Sequence, residues 1–127
     1  PLLTVEQPIQ FVEVNEGDAT AGKMQVVAQV QEYIKNHLSE KLTLADVAAV
    51  FNFSPNYLSQ LFGKYGDSGF VEYITETRIA AAKEMLERGD LKVYEIAEKL
   101  GYESSFYFSK VFKKVTGLSP REYQQSL

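Results

Sequence analysis

The sequence predicts an all-α fold of seven helices, in which two helix-turn-helix subdomains of the homeodomain-like kind are joined by a long linker helix. Two observations predict it. The same helix-turn-helix pattern occurs twice, at residues 44–62 and 93–112, and an amphipathic stretch of 19 residues lies between the copies. Each copy repeats apolar residues at i, i+3, i+4 and i+7, the spacing of a buried helix face. These positions, offset by 50 residues (108 against 58), are Leu58, Leu61, Phe62 and Tyr65, and Phe108, Val111, Phe112 and Val115.

The turn inside each copy supports this interpretation. A tight corner between two helices needs a residue near left-handed φ, which Asn and Gly tolerate best, and Asn52 and Gly101 occupy the two corners. Small Ala48 and Ala97 precede them, where bulk would keep crossing helices apart. The second turn has one extra residue, Glu103. An ordinary helical bundle made by duplication is the alternative, although a bundle does not need this turn chemistry twice.

The first 23 residues are interpreted as a linker or the remnant of an upstream domain. Residues 1–22 read as extended or loose chain, with partial strand alternation at 9–14 and a turn signal at 15–18. From Met24 the pattern is helical to the end. The apolar face of the first helix consists of Val26, Val27, Val30, Tyr33, Ile34 and Leu38.

Capping signals place the other helix starts. Thr43-x-x-Asp46 is a capping box for the second helix, and Ser54-Pro55 and Ser119-Pro120 supply an N-cap and an N1 proline to the third and seventh. The linker helix is predicted at 70–88, with one subdomain at about 24–68 and the other at about 90–127. A repeated helix-turn-helix favours a DNA-binding module. The linker helix would span roughly 28 Å, close to the ~34 Å that separates successive major-groove faces of DNA.

Composition limits the possible functions. The chain has no Cys, which fits a reducing cytoplasm. It also lacks the run of about 20 apolar residues that a membrane helix needs, so no contact with a membrane is expected. One His, no phosphate-binding Gly-rich loop and no metal-ligand spacing argue against an enzyme, a metal site or a cofactor. Because the chain starts at Pro1 without Met, we expect a sensing or receiver domain upstream.

Charge is unusual for a nucleic-acid-binding protein, since 13 basic and 17 acidic residues give a net charge of −4. Residues 1–24 hold one basic and four acidic residues, so the rest of the chain has 12 basic and 13 acidic residues. The arrangement of the basic residues must therefore compensate for the low net charge. Four of them cluster late in the chain: Lys110, Lys113, Lys114 and Arg121. We expect modest, salt-sensitive affinity.

From about Met24 to the end, the sequence resembles the C-terminal DNA-binding domain of the AraC/XylS family of bacterial transcription regulators. The strongest match runs from Ile96-Ala97-x-x-Leu100-Gly101-Tyr102 through Tyr107-Phe108-Ser109-x-x-Phe112-Lys113-Lys114-x-x-Gly117-x-Ser119-Pro120-x-x-Tyr123. The linker helix, with Arg78, Ala82, Met85 and Leu86, and the run Leu58-Ser59-x-Leu61-Phe62 are also similar to the family.

The first subdomain departs from the family after this run. A basic residue, a Thr-Gly pair and a capping Ser are common there, as in Lys113, Thr116-Gly117 and Ser119 of the second copy. The first copy has Gly63, Gly66-Asp67 and Gly69 instead. This departure weakens the phosphate contact expected of the first subdomain.

The resemblance implies that the third and sixth helices enter adjacent major grooves. Removing the buried stripe leaves the residues that we expect to contact bases. Asn and Gln suit adenine, Lys suits guanine and Phe suits a thymine methyl group, whereas core packing is the alternative for Phe106. The candidates are Asn56, Ser59, Gln60, Ser105, Phe106, Ser109 and Lys110.

Phosphate contacts are expected from helix N-termini, lysines, one arginine and two tyrosines at the edges of the buried stripes. For Arg78 we favour a salt bridge between subdomains over a phosphate contact. The phosphate candidates are Thr43, Tyr57, Lys64, Lys92, Tyr107, Lys113, Lys114 and Arg121.

The sequence thus predicts sequence-specific binding of double-stranded DNA by the output domain of a bacterial, cytoplasmic transcription regulator, monomeric as this fragment. The alternative is a protein-interaction module, with RNA polymerase as a possible partner and vestigial DNA binding. The operator, the inducer and the choice between activation and repression do not follow from the sequence.

Overall fold

The structure is a computed structural model that describes residues 16–127, with side chains from Ala19 onward. These residues form seven helices and no strand, which confirms the predicted all-α class. The strand pattern at 9–14 and the rest of residues 1–15 lie outside the described residues. The helices are α1 (Glu16–Lys35), α2 (Leu44–Val50), α3 (Pro55–Tyr65), α4 (Phe70–Arg88), α5 (Val93–Lys99), α6 (Ser105–Thr116) and α7 (Pro120–Gln125).

Helix α1 begins earlier than the sequence pattern predicts. It starts at Glu16, so the extended lead-in through residue 22 is wrong for residues 16–22. Ala19 and Ala21 have high helix propensity, but they add nothing to the apolar repeat, which starts at Val26. A prediction based on periodicity therefore misses these turns.

The chain divides into two compact units, the first of which contains α1, α2, α3 and the start of α4. Its buried core includes Val30, Ile34, Val47, Leu58 and Phe62, each no more than 1% exposed. Ring contacts extend this core, because Tyr33 meets Phe51 edge-on at 5.7 Å and Phe62 meets Phe70 at 5.5 Å. The predicted faces of α1 and α3 therefore pack here, except that Leu38 lies beyond the end of α1 at Lys35 and packs against the core of the second unit.

Local hydrogen bonds fix the first helix-turn-helix. The hydroxyl of Thr43 accepts from the Asp46 N–H at 3.0 Å, and that of Ser54 accepts from the Tyr57 N–H at 3.1 Å. Only the Thr43 half of the predicted capping box is present. Asn52 has φ 61°, so the corner residue adopts the predicted left-handed conformation.

The second unit contains the 37–41 segment and the chain from Ile74 to Leu127. Helix α4 has the predicted bounds and runs on into this unit. The core is built from α4, α5 and α6. Its buried residues are Ile79, Ala82, Leu86, Ile96, Ala97, Leu100, Phe108 and Phe112.

The prediction that Val115 belongs to the buried stripe of α6 is wrong. Val115 is 47% exposed, although it follows Phe108 and Phe112 on the same face of α6. The ring of Phe112 packs against that of Tyr123 at 5.6 Å, and Val115 lies about one turn further along, at the end of the helix.

The segment 37–41 is fastened to this unit by Arg78. Its Nε donates to the Leu38 carbonyl at 3.2 Å, and its Nη2 donates to the Glu40 carbonyl at 2.7 Å. Arg78 is thus structural, but main-chain oxygens are the partners in place of the predicted salt bridge between subdomains. No described helix has both the length and the apolar character needed to cross a membrane.

Candidate nucleic-acid interface

Helix α3 turns its polar side outward because its apolar stripe is buried. Leu58 and Phe62 are fully buried, and the cap at Ser54 fixes where the helix starts. The opposite side consists of exposed residues at i, i+3, i+4 and i+7, which are Asn56, Ser59, Gln60 and Gly63. All three base candidates of the first unit therefore lie on one accessible face.

Helix α6 repeats this arrangement in the second unit, with the same offset of 50 residues. The Ser104 hydroxyl accepts from the Tyr107 N–H at 3.1 Å and fixes the helix start. The outward positions of α6 are Phe106, Ser109, Lys110 and Lys113, and Ser105 precedes them. Ser105 and Ser109 are half-buried, whereas Phe106 and Lys110 are exposed.

Phe106 does not belong to the core. It is 73% exposed, so the structure rejects the core-packing alternative that the sequence left open. Its neighbour one turn along is Lys110, whose ammonium nitrogen lies 5.4 Å from the centroid of the Phe106 ring. This distance is within the range of a cation–π contact, so the two side chains form a pair on the outward face.

The phosphate candidates of the first unit differ in accessibility. Lys64 is exposed beside the Tyr65 ring, with 5.5 Å between its ammonium and the ring centroid. Tyr57 is half-buried and packs edge-on against Phe53 at 5.2 Å. The Thr43 hydroxyl is already an acceptor for the helix cap, so its hydrogen remains as a donor.

In the second unit, the fold brings two predicted phosphate ligands together. A cleft of about 470 Å³ is lined by Lys92 and Arg121, together with Ser105, Tyr94 and Gln124. Lys92 is the N-cap of α5: its main-chain N–H donates to the Glu95 carboxylate at 2.8 Å, and its side chain makes no cap hydrogen bond. The cleft therefore combines two cations with hydroxyl and amide groups.

Tyr94 is the member of this cleft that the sequence did not single out. It is 58% exposed in the first turn of α5. An aromatic residue between the buried positions of a short amphipathic helix is the signal that could have identified it.

The remaining cations lie on α6. Lys113 and Lys114 are exposed, as is more than half of Tyr107. The two lysines differ electrostatically, because Lys113 acts on Glu122. A backbone hydrogen bond from Ser119 lowers the pKa of the Glu122 carboxyl, and the positive charge of Lys113 lowers it further. Lys113 thus has a carboxylate nearby that competes with phosphate.

A family model described as a helix-turn-helix domain matches residues 47–126. The chain belongs to the AraC-type helix-turn-helix family. Among its relatives, the uncharacterized HTH-type transcriptional regulator YijO of Escherichia coli K12 is 43% identical over 107 residues, which is 84% of this chain and 38% of YijO. The chain spans about a third of the length of the curated relatives that it matches first.

Solved structures of AraC-type domains have the same fold. The C-terminal domain of AraT, a response regulator from Geobacillus stearothermophilus, matches with a TM-score of 0.77 and 38% identity, over 80% of this chain and 84% of that one. The DNA-binding domain of AdpA, a global transcriptional factor in complex with a target DNA, matches with a TM-score of 0.74 and 25% identity, over 79% and 90%.

The two units end their outward helices differently. The C-cap of α6 is Gly117, whose φ of 87° gives the left-handed end that the AraC-type pattern predicts. The C-cap of α3 is Gly66, whose φ of −93° and ψ of 163° are extended, and Asp67 is not left-handed either. The corner after α3 therefore needs no glycine at 67, and Asp67 places a negative charge where the second copy has Gly117.

Proposed function

We propose that this chain is the sequence-specific, double-stranded-DNA-binding module of a bacterial cytoplasmic transcription regulator. In this proposal α3 and α6 enter adjacent major grooves. The observation that carries it is the repeated outward stripe: outward positions of both helices, 50 residues apart, hold side chains that suit base edges. AdpA, whose domain has this fold and is bound to a target DNA, supports it.

The base contacts are assigned to Asn56, Ser59 and Gln60 on α3 and to Ser105, Phe106, Ser109 and Lys110 on α6. Hydrogen-bonding side chains on exposed helix faces are the groups that read donors and acceptors in the major groove. Phosphates are assigned to the cleft between Lys92 and Arg121 and to the flanking side chains. These flanking residues are Thr43, Tyr57, Lys64, Tyr107, Lys113 and Lys114.

An upstream sensing or receiver domain would control this module. AraT is a response regulator, and the relatives are longer than the segment that matches, which supports such a domain. We also propose that the isolated chain binds as a monomer and that RNA polymerase is a further partner at the promoter.

A fluorescence anisotropy titration with duplex DNA at several salt concentrations tests the proposal. Five charged phosphate candidates predict that the logarithm of the binding constant falls with the logarithm of salt with a slope of about −4.5. The net charge of −4 favours the alternative, a protein-interaction module without DNA binding. A slope near zero, or no binding at low salt, would overturn the proposal and leave that alternative.

A further inference from the structure

Phe106 is an apolar group at the start of a face that otherwise offers hydrogen bonds and charge. Its ring is 73% exposed, and Ser109, Lys110 and Lys113 follow it along the outward stripe. A phenyl ring has no donor and no acceptor, so it can recognise a base only through apolar contact. On base edges in the major groove, the apolar feature is the methyl group at C5 of thymine.

Lys110 supplies a different kind of contact from nearly the same place. Its ammonium lies 5.4 Å from the centroid of the Phe106 ring, so the two groups that would meet DNA are neighbours. A lysine in the major groove matches the O6 and N7 acceptors of guanine. The pair therefore presents a methyl-binding surface and a guanine-binding charge side by side.

The separation of the two groups limits which base pairs they can reach together. Successive base pairs are about 3.4 Å apart, and every second pair is about 6.8 Å apart. A distance of 5.4 Å between ammonium and ring centroid exceeds one step and is less than two. The methyl group and the guanine edge of adjacent base pairs are also displaced across the groove. Their separation therefore exceeds one step, and the distance fits two adjacent base pairs.

We propose that Phe106 and Lys110 together read a C5-methylated pyrimidine directly beside a guanine, with Phe106 contacting the methyl group and Lys110 the guanine. The inference rests on the proposed DNA binding and names the sequence that α6 recognises within it. The methyl group, and not the thymine ring as a whole, is the feature that Phe106 recognises. 5-Methylcytosine carries the same methyl group, so a methylated CG step should be read better than an unmethylated one.

The experiment starts from duplexes that the 127-residue chain selects from a random pool. In the selected site, each thymine next to a guanine is replaced in turn by deoxyuridine, which removes only the methyl group. We expect about fourfold weaker binding at one of these positions, the usual effect of returning one methyl group to water. Replacing the same thymine–adenine pair by a cytosine–guanine pair, and then methylating that cytosine at C5, should give a matching gain in affinity of about fourfold.

Two variants assign the effect to the pair. Phe106→Ala should bring both affinity ratios, thymine over deoxyuridine and 5-methylcytosine over cytosine, close to one. Phe106→Leu keeps an apolar surface and should largely preserve both ratios. Lys110→Ala should retain the methyl effect and lose preference for the neighbouring guanine. Because both residues are exposed, the variants should unfold at the wild-type temperature, which calorimetry checks.

The outcomes separate this inference from the proposed function. Steeply salt-dependent binding with no deoxyuridine effect, or with the same effect in Phe106→Ala, overturns the inference and leaves DNA binding intact. A selected site without thymine beside guanine overturns it as well. Absence of duplex binding overturns both.

Discussion

The guanidinium of Arg78 lies 5.6 Å from the centroid of the Tyr102 ring. Burial lowers the pKa of Arg78, and burial raises the pKa of the Tyr102 hydroxyl, although the charge of Arg78 opposes that rise. Both shifts reflect packing inside the second unit. Arg78 thus ties α4 to the 37–41 segment and to the second helix-turn-helix corner at once.

Loss of Arg78 should therefore destabilise the fold. Arg78→Ala leaves the Leu38 and Glu40 carbonyls without this donor, and hydrogen bonds to a charged group are each worth about 1.5–3 kcal/mol. Arg78→Lys should recover only part of this, because an ammonium cannot reproduce the planar fork of donors. Urea denaturation measures both variants. A Lys variant as stable as the wild type would show that charge alone suffices.

Gly101 and Gly117 provide a matched pair, since both have positive φ, at 78° and 87°. A Cβ at Gly117 would meet nothing within 4 Å, so Gly117→Ala should cost only the left-handed strain of about 1–2 kcal/mol. A Cβ at Gly101 would lie 2.7 Å from the Leu38 carbonyl oxygen and 2.9 Å from Arg78 Nη2.

We therefore expect Gly101→Ala to lower the free energy of unfolding by clearly more than Gly117→Ala, because the Leu38 main chain must also move. Chemical denaturation of both variants under the same conditions checks the difference. Equal losses would mean that backbone conformation alone requires glycine at 101.

The sequence predicts the features that depend on local chemistry. The left-handed corners at Asn52 and Gly101, the caps at Ser54 and Ser119 and the bounds of α4 all follow from residue type and spacing. Each is decided within a few residues, where propensity and periodicity act.

What the sequence misses depends on contacts between distant segments. No pattern shows that Arg78 bonds main-chain carbonyls 38 and 40 residues away or that Lys92 and Arg121 share a cleft. Likewise, Val115 fits the apolar stripe of α6, but nothing in the stripe shows that the core ends one turn earlier. The assignment of bases and phosphates stays a prediction, because it concerns a partner outside the chain.

The capping box of α7 should make stability depend on pH. Glu122 accepts from the Ser119 N–H at 2.9 Å, and this bond lowers the pKa of the carboxyl below its ordinary value of 4.5. A lowered pKa in the folded state stabilises the protein above pH 4.5, and this stabilisation is lost as the pH falls through the lowered pKa. Glu122→Gln keeps an acceptor but has no charge.

We therefore expect the wild type to be more stable than Glu122→Gln at pH 7, and the two to converge as the pH falls below about 4.5. Thermal unfolding between pH 7 and pH 3 measures the gap. A gap that stays constant over this range would show that the carboxylate charge contributes nothing to the cap.

Lys110 and Lys114 separate sequence specificity from general affinity. If Lys110 bonds a guanine edge, Lys110→Ala should lose about 1–3 kcal/mol at the best site and relax preference at one or two base pairs. Lys114→Ala should weaken all sequences alike and flatten the salt slope by about one unit, as expected for one lost phosphate contact. Competition titrations with selected and random duplexes distinguish the two. Uniform weakening by Lys110→Ala would make Lys110 a phosphate ligand.

The corner after α3 offers a gain of function. Gly63 is exposed on the outward face, and a Cβ there would meet nothing within 4 Å, so a lysine fits without displacing a neighbour. Gly63→Lys should stabilise α3 by up to about 1 kcal/mol through helix propensity and should strengthen binding to all duplexes at low salt. Asp67→Asn should add to the binding by removing a negative charge from the same corner.

Two controls at position 63 isolate the charge. Gly63→Ala should give the same stability gain without the gain in affinity, and Gly63→Glu should weaken binding at low salt. Anisotropy titrations at two salt concentrations, combined with denaturation, measure both quantities. If Lys, Ala and Glu at 63 bind equally well, this corner faces away from DNA. The first unit would then contribute base contacts through Asn56 and Gln60 without a phosphate contact beside them.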